Sequence, residues 1–556
     1  MFNFSSLFTK QNLVFLSLFL LLLIPNIAVM FYFNDIKGNL TMSFAYALLS
    51  ILVWAFPLIF FKKKTYFVVA LFLFLASPLE IIFVKSLGTP ITIGFIDSVF
   101  KTNYNEAKEQ ITSNLGFVFF FIGGFILYNF LLFKVKNEFL PKKIRIIILS
   151  ISVIFNVVIF YKMYDIQKGE QNSNEEKINI ALNHTFLKYY KVYPMDLLIN
   201  FYRIFSNNLD TSNFDKKLKK FKFEAKSLNK REEEEIYVLV IGETSRYSNF
   251  HINGYSRKTT PFLEKTENFL SFNNVYSCAN LTSISIPQII TRANPQNKEL
   301  QYKEKTILDA FEEARYYTAW FANQSSDNPI IKRLKTSADF FESPSTEILD
   351  DKIIPEFQKI INNRFEKKFV VIHSLGSHFR YTNRYPKSFE KFKPIMNETG
   401  YENLDIAYKK EIINSYDNSI LYTDYFLNLL IKNLEKTNKK AILLFLSDHG
   451  ENLYDDEKKY IAHGTVNPTK YEYHIPYFIW YSKEYEKSNP EKIKILKNNI
   501  NNPISSSSTF YTLLDLANIQ YKNYEKEKAK SISSENYEIP KKRYMLNSEN
   551  NIIEIK

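Results

Sequence analysis

Five stretches of this chain, at about 13–33, 43–61, 66–84, 115–133 and 144–163, are each long and apolar enough to cross a bilayer as a helix, which takes about 20 such residues. No other feature narrows the fold so far. In hydrocarbon every backbone N–H and C=O must be satisfied internally, so a run of this length is a spanning helix. The first stretch is too long and too weakly basic at its start for a cleavable signal, and no small-residue cleavage site follows it. If the segments alternate, Lys10, Lys62, Lys63, Lys64, Lys134, Lys136, Lys142 and Lys143 all fall on one side. Basic residues favour the cytoplasmic side, which places the N-terminus there, and an odd number of crossings delivers the remainder outside.

The mean hydropathy of −0.20 averages two unlike parts, an apolar first 165 residues and a polar remainder. At 556 residues the chain exceeds one ordinary domain. Its net charge of +13 suits work beside anionic lipid. Nucleic acid is not expected as a partner, because the basic residues are dispersed and no reader motif is present. Cys278 is the single cysteine, so no intrachain disulfide can form.

These patterns divide the chain into a transmembrane domain at 1–165, a bridging segment at 166–235, a soluble domain at 236–523 and a polar tail at 524–556, expected to pack poorly. The stretch EEKINIALNHTFLKYYKVYPMDLLINFYRIF, 175–205, mixes aromatic, aliphatic and basic residues. It reads either as an interfacial helix pair or as a connector packed on the soluble domain. Within the soluble part, IYVLVIG (236–242), FVVIHSLG (369–376), AILLFLSD (441–448) and YFIWYS (477–482) are continuous apolar runs bounded by turn residues. Such runs suit a parallel sheet buried on both faces, and the stretches between them can hold crossover helices. The fold class is α/β.

In an open parallel sheet, ligands bind beyond the carboxyl ends of the strands. Glu243 follows the first of these runs, in IGETSR, and Asp448 and His449 follow the third, in SDHGE. Carboxylate oxygen and imidazole nitrogen are zinc ligands, and three of them leave a position open for a reacting group. Singly, each residue is as readily a helix cap or a hydrogen-bonded histidine. His449 also requires an acceptor on its second ring nitrogen, which the residue pattern does not identify. Thr282, in SCANLTSISIPQIITR, stands at the start of a helix-like run. It reads either as a cap or as a nucleophile that needs activation. His378 in LGSHFR and His463 in YIAHGT are further candidates, with a solvated or structural histidine as the plain alternative.

Taken in order behind five membrane segments, IGETSR, CANLTSISIP, SLGSHFRYTNRYP, SDHGE and AHGT resemble the lipid A phosphoethanolamine transferases. That family lies in the alkaline phosphatase and sulfatase superfamily and includes the mobile colistin-resistance enzymes. The resemblance implies five transmembrane helices followed by an alkaline-phosphatase-like α/β/α sandwich, in a multi-pass protein of the bacterial inner membrane with a periplasmic catalytic domain. It implies a catalytic zinc at Glu243, Thr282, Asp448 and His449, with Thr282 as nucleophile. His378 and His463 match histidines that bind the transferred phosphate or a second zinc. Thr102 and Glu106 match positions that hold the ethanolamine amine, although Ser98 stands where the family often has asparagine.

The implied donor is phosphatidylethanolamine, the acceptor a lipid A phosphate or another envelope component, and the enzyme a monomer. Many relatives pair the cysteine before the nucleophile loop with a second one, but Gln288 occupies the matching position here, so packing and hydrogen bonds must hold that loop. The C/S-x-P-x-R context that sulfatases convert to a formylglycine nucleophile is missing around Cys278. Phosphoglycerol transfer, a non-catalytic scaffold and a transporter are the competing readings. Few charges interrupt the membrane segments, which counts against the transporter.

Overall fold

A computed structural model describes residues 9–92, 115–166, 188–203, 220–323, 337–396 and 406–555, apart from positions 34, 35, 37, 88, 345–347 and 458, together with isolated residues between these ranges. The chain divides into two compact units, one comprising Met1–Ile96 and Asn114–Ile204 with the apolar helices, the other comprising Asp97–Ser113 and Phe205–Lys556.

The first unit contains α1 (Lys10–Tyr32), α2 (Leu40–Ala55, continued as a 3-10 turn to Ile59), α3 (Lys63–Leu87), α4 (Leu115–Lys134) and α5 (Lys142–Ile166). Among the described residues, four of these are long and apolar enough to cross a membrane, namely α1, α2 with its extension, α3 and α5. Over the residues whose side chains are described, Val118–Lys134, α4 is shorter. Polar caps set the starts: the Thr9 hydroxyl accepts from the Asn12 amide and the Asn39 side chain from the Met42 amide. Between helices, tyrosine hydroxyls reach backbone carbonyls, Tyr66 to Trp54 at 2.7 Å and Tyr128 to Phe67 at 2.8 Å. In hydrocarbon such bonds have no water to compete with.

Of the bridging segment, residues 188–203 belong to this unit, whereas 220–235 belong to the other, where Phe223 and Ala225 enter the core and Lys226 and Ser227 pair with Gln520 and Ile519. Asn26 of α1 accepts from the Tyr193 amide at 3.0 Å and donates to the Tyr193 carbonyl at 2.9 Å. Residues 195–203 form a helix that buries Leu197 and Asp196 while leaving Leu198, Phe201 and Tyr202 exposed.

The second unit is built on a seven-stranded sheet. In chain order its strands are β1 (Glu235–Gly242), β2 (Phe269–Ser271), β3 (Tyr317–Ala322), β4 (Phe340–Glu342), β5 (Lys367–His373), β6 (Lys440–Ser447) and β7 (Tyr477–Tyr481). Their order across the sheet is β2-β7-β6-β1-β5-β3-β4. Every residue of β1 is buried. Ile236, Val238 and Val240 enter one hydrophobic core, and Tyr237, Leu239 and Ile241 the other. A central strand covered on both faces reads as an unbroken apolar run for this reason.

Two expectations are corrected. First, β7 does not extend the parallel sheet; it runs antiparallel to both β6 and β2. Residues 448–476 form loops, a two-stranded ribbon and a one-turn helix, and the Ser447 amide bonds the Pro476 carbonyl. With no crossover to the far edge, the chain must return from the end at which β6 stopped. Second, the tail is packed. Ile532, Met545 and Leu546 are buried, and the Ser531 and Ser533 hydroxyls donate to Asp515 at 2.8 and 2.6 Å. The tail ends in the hairpin β8 (Arg543–Leu546) and β9 (Ile552–Ile555). Its polar composition hid this because serine bonds and backbone pairing do much of the anchoring.

Candidate metal centre and nucleophile

The register of the two central strands brings the acidic residues together. Gly242 of β1 pairs with Ser447 of β6, so Glu243 and Asp448 emerge side by side at the carboxyl end of the sheet. On the other flank Ile241 pairs with His373 of β5. Glu243, Asp448 and His449 are fully buried, and one ligand-type atom from each lies within 4.8 Å of the others.

Thr282 is the first residue of α6 (Thr282–Ile290), and Leu281, not a threonine, occupies the capping position. The capping alternative is therefore set aside. The Thr282 hydroxyl instead donates to Glu243, 3.1 Å from Oε1 and 3.2 Å from Oε2, and stands 3.1 Å from His449 Nε2. The required second acceptor for His449 is the Gly450 carbonyl, 3.0 Å from Nδ1. A donating Nδ1–H leaves the Nε2 lone pair facing the carboxylates, the tautomer a metal needs. Asp448 Oδ1 accepts from the amides of Thr244 at 3.1 Å and His449 at 2.7 Å. Its buried Oδ2 accepts no hydrogen bond and lies 3.2 Å from His449 Nε2.

Electrostatics point the same way. Burial and the adjoining Glu243 charge push the Asp448 carboxyl up to about 6. Burial acts on Glu243 in the same direction, but the hydrogen bond from His373 and the neighbouring imidazoles outweigh it, holding Glu243 well below the usual carboxylate range. Two neighbouring buried carboxylates, one with an orphaned oxygen, and an imidazole presenting a lone pair are short of positive charge. The donor set fits a divalent cation such as zinc.

The histidines beyond this cluster occupy distinct settings. His463 lies beside His449, with ring centroids 4.0 Å apart and the planes tilted by 38°. Its Nδ1 lies 2.6 Å from Glu451 Oε2, and the other oxygen of Glu451 accepts from the Tyr381 hydroxyl at 2.6 Å. Burial alone would discharge His463, but Glu451 dominates and raises it to about 9. His378 is half-buried in the loop after β5. Ser98, Thr102 and Glu106 lie outside the described residues.

Residue patterns missed Glu451, Tyr381 and His373. Glu451 stands two residues after His449, and His373 closes an apolar run; His373 Nε2 is 3.8 Å from Glu243 Oε2. Those positions were the available signals.

The loop after β5 is held tightly enough to specify glycine. Gly376 has φ +53°, and a Cβ there would lie 2.8 Å from the Glu243 backbone N and O. Asp350 fixes this loop by accepting from the Leu375 amide at 2.8 Å and the Gly376 amide at 3.0 Å, while the Ser377 amide bonds the Glu243 carbonyl at 3.0 Å. Gly376→Ala is expected to displace Glu243 and weaken divalent-metal binding by roughly 10–100-fold, the range for a change behind a ligand. Calorimetric zinc titration checks this, and unchanged affinity would show that the loop yields instead.

The nucleophile loop has no disulfide, as the single cysteine requires. Hydrogen bonds brace it. The Cys278 amide donates to the Ser506 hydroxyl at 2.9 Å, and its carbonyl accepts from the Leu546 amide of β8 at 2.8 Å. The hydroxyls of Ser277 and Ser285 both donate to the Asp448 carbonyl, the latter at 2.7 Å. Gln288 turns back to its own helix, donating to the Ile284 carbonyl at 3.1 Å.

A sulfatase family model matches residues 235–519. Phosphoethanolamine transferase EptC of Escherichia coli K12 is 26% identical over 506 residues, covering 85% of this chain and 84% of that protein. The Kdo(2)-lipid A phosphoethanolamine 7''-transferase of the same strain is 31% identical over 263 residues, 45% of this chain and 44% of its own. Among solved structures, the lipooligosaccharide phosphoethanolamine transferase A of Neisseria meningitidis, an integral membrane protein, is similar over 94% of this chain and 98% of its own, with a TM-score of 0.73 at 20% identity; it speaks for the fold of both units. The periplasmic domain of E. coli EptC, crystallised as a complex with Zn, matches over 59% of this chain and 94% of its own, with a TM-score of 0.53 and 27% identity.

Proposed function

This chain belongs to the sulfatase family, and from that premise we propose that it transfers phosphoethanolamine from phosphatidylethanolamine to a lipid A phosphate, through a covalent intermediate on Thr282. The observation that carries this reading is a threonine hydroxyl freed from helix capping and set within hydrogen-bond distance of two candidate metal ligands, Glu243 and His449. The family name describes the fold. The C/S-x-P-x-R context that a sulfatase needs for its modified nucleophile is missing around Cys278.

Glu243, Asp448 and His449 would hold a zinc ion beside Thr282, and a bound ion supplies positive charge that acidifies a nearby hydroxyl and offsets charge on phosphoryl oxygens. Support comes from the zinc complex of the similar EptC domain. The chain's own groups do the remaining work. Glu243 already accepts a hydrogen bond from the Thr282 hydroxyl, so an acceptor for its proton is in place as the Oγ1–P bond forms. The bond from phosphorus to the diacylglycerol oxygen breaks, and that oxygen takes up the proton as diacylglycerol leaves. His463, oriented through Nδ1 by Glu451, would present Nε2 to the transferred phosphate, and His378 is assigned the same task. The lipid A phosphate then attacks phosphorus through its hydroxyl, the bond to Thr282 breaks, and the proton the acceptor gives up restores the Thr282 hydroxyl. Thr102 and Glu106 are proposed to hold the ammonium of the donor headgroup.

The spanning helices make this a membrane protein. Its proposed setting is the bacterial inner membrane, with the N-terminus cytoplasmic, the catalytic domain periplasmic and the chain working as a monomer. Phosphoglycerol transfer is not favoured, because the similar proteins named above are phosphoethanolamine transferases. Headgroup-labelled donors test the choice. Label should leave phosphatidylethanolamine and not phosphatidylglycerol, and the reverse would overturn the reading. In cells, deleting the gene should remove one phosphoethanolamine from lipid A and increase polymyxin sensitivity. Unchanged lipid A would move the acceptor elsewhere in the envelope.

The His463–Glu451 pair also sets an expected pH limit. His463 is raised from 6.5 to about 9, so its positive form is present at lower pH and lost as pH rises through about 9. Glu451→Gln removes the charge that sustains it. The alkaline limb of the pH–kcat/KM profile should then move toward neutrality; an unmoved limb would assign it to another group.

A further inference from the structure

We propose that the membrane unit holds one acyl chain of the phospholipid donor in an apolar cleft between α1, α3 and α4. This rests on phosphatidylethanolamine being the donor. The cleft measures about 370 Å³ and is lined by Leu21 of α1, Phe74, Ser77 and Ile81 of α3, and Gly123 and Gly124 of α4, among others. Ser77 is the one hydroxyl in the lining, and it donates to the Phe74 carbonyl at 2.7 Å, so its polarity is used within its own helix. Water needs two or more polar partners to occupy a cavity, and these walls do not supply them. In a bilayer the remaining filler is hydrocarbon.

The two glycines make room for it. A Cβ at Gly123 would meet nothing within 4 Å, and one at Gly124 would meet Phe74 at an ordinary 3.5 Å. Close helix packing therefore does not require glycine at either position, whereas side chains there would narrow the cleft. Depth and side agree as well. From Phe74 to Ile81 is seven residues, or about 10 Å along a helix, within the roughly 15 Å of hydrocarbon in one leaflet. The lining runs from the midpoints of α1 and α3, at Leu21 and Phe74, into their second halves at Ile24, Ser77 and Ile81, and lies largely in the first half of α4. With alternating crossings these halves share one leaflet, the one on the side where α5 ends and the chain leaves for its catalytic unit. A lipid anchored there presents its headgroup on that side.

The test uses the full-length protein with Gly123→Leu, the milder Gly123→Ala, and Ile122→Phe as a control on the neighbouring lipid-facing surface. Native mass spectrometry counts phospholipid carried through purification, and kcat/KM is compared for dioleoyl and dihexanoyl phosphatidylethanolamine. The native chain should retain one phospholipid and prefer the long-chain donor. Gly123→Leu should lose the bound lipid and reduce that preference about tenfold, with Gly123→Ala between them and Ile122→Phe unchanged. If Gly123→Leu keeps both the lipid and the preference while the native chain is active, the cleft proposal fails alone. If the native chain consumes neither phosphatidylethanolamine, the donor reading fails, and the donor as occupant fails with it.

Discussion

Thr282→Ala is expected to lower phosphoethanolamine transfer on the order of 10⁴-fold or more, the scale at which removing a covalent nucleophile acts on kcat. The hydroxyl lies at the start of α6, where it bonds both Glu243 oxygens and approaches His449 Nε2, and it caps nothing. Its loss should therefore leave the helix intact, because Leu281 holds the capping position. Zinc stoichiometry and thermal unfolding separate the roles: both should stay near native values while transfer vanishes. Thr282→Ser keeps the hydroxyl and should restore measurable transfer. A Thr282→Ala variant with more than a few per cent of native activity would remove the threonine from the chemistry.

The second large effect is expected from Asp448→Asn. Asp448 Oδ1 is already committed to two backbone amides, and Oδ2 is buried without a hydrogen bond. An amide in its place would put a neutral group, or an N–H₂ donor, where the cluster needs negative charge, while the surrounding loop keeps its shape. Bound zinc should fall from about one per chain to well below that, and transfer should fall with it. Elemental analysis of both proteins after the same dialysis makes the comparison. Exhaustive chelation of the native protein should reproduce the loss and added zinc should reverse it. Full occupancy in Asp448→Asn would mean that the ion is held elsewhere, and native protein that is active without metal would contradict the site as a whole.

Much of this centre was legible in the residue order because strand ends are simple to read. IYVLVIG and AILLFLS are apolar on both faces, and each ends in a residue that cannot continue a core. The Gly242–Ser447 pairing then places Glu243 beside Asp448 with no further assumption. What stayed hidden depends on backbone atoms and distant partners. The second acceptor of His449 is the Gly450 carbonyl, which no side-chain pattern reveals. Glu451 reaches both His463 and Tyr381, linking three chain segments that only the fold brings together. The antiparallel β7 looked like its parallel neighbours because a buried central strand has the same composition in either direction. The tail read as loose because its anchors are serines on Asp515 and the Leu546 amide on the Cys278 carbonyl.

The loop around Thr282 shows how one structural task can be met by different chemistry. A disulfide would restrain it covalently, but here Ser277, Ser285, Ser506 and Leu546 restrain it through hydrogen bonds. Each is worth only about 1 kcal/mol net. Together they tie the nucleophile loop to the Asp448 carbonyl and to the hairpin, so the hydroxyl and its candidate metal ligands are positioned by one shared network.

Intact-protein mass spectrometry after incubation with phosphatidylethanolamine and no acceptor tests the central claim most directly. The native chain should gain one phosphoethanolamine group, mapped by fragmentation to Thr282, with diacylglycerol released in equal amount. Diacylglycerol release with no adduct on the chain at any time from milliseconds onward, or an adduct that persists in Thr282→Ala, would contradict a threonine-bound intermediate.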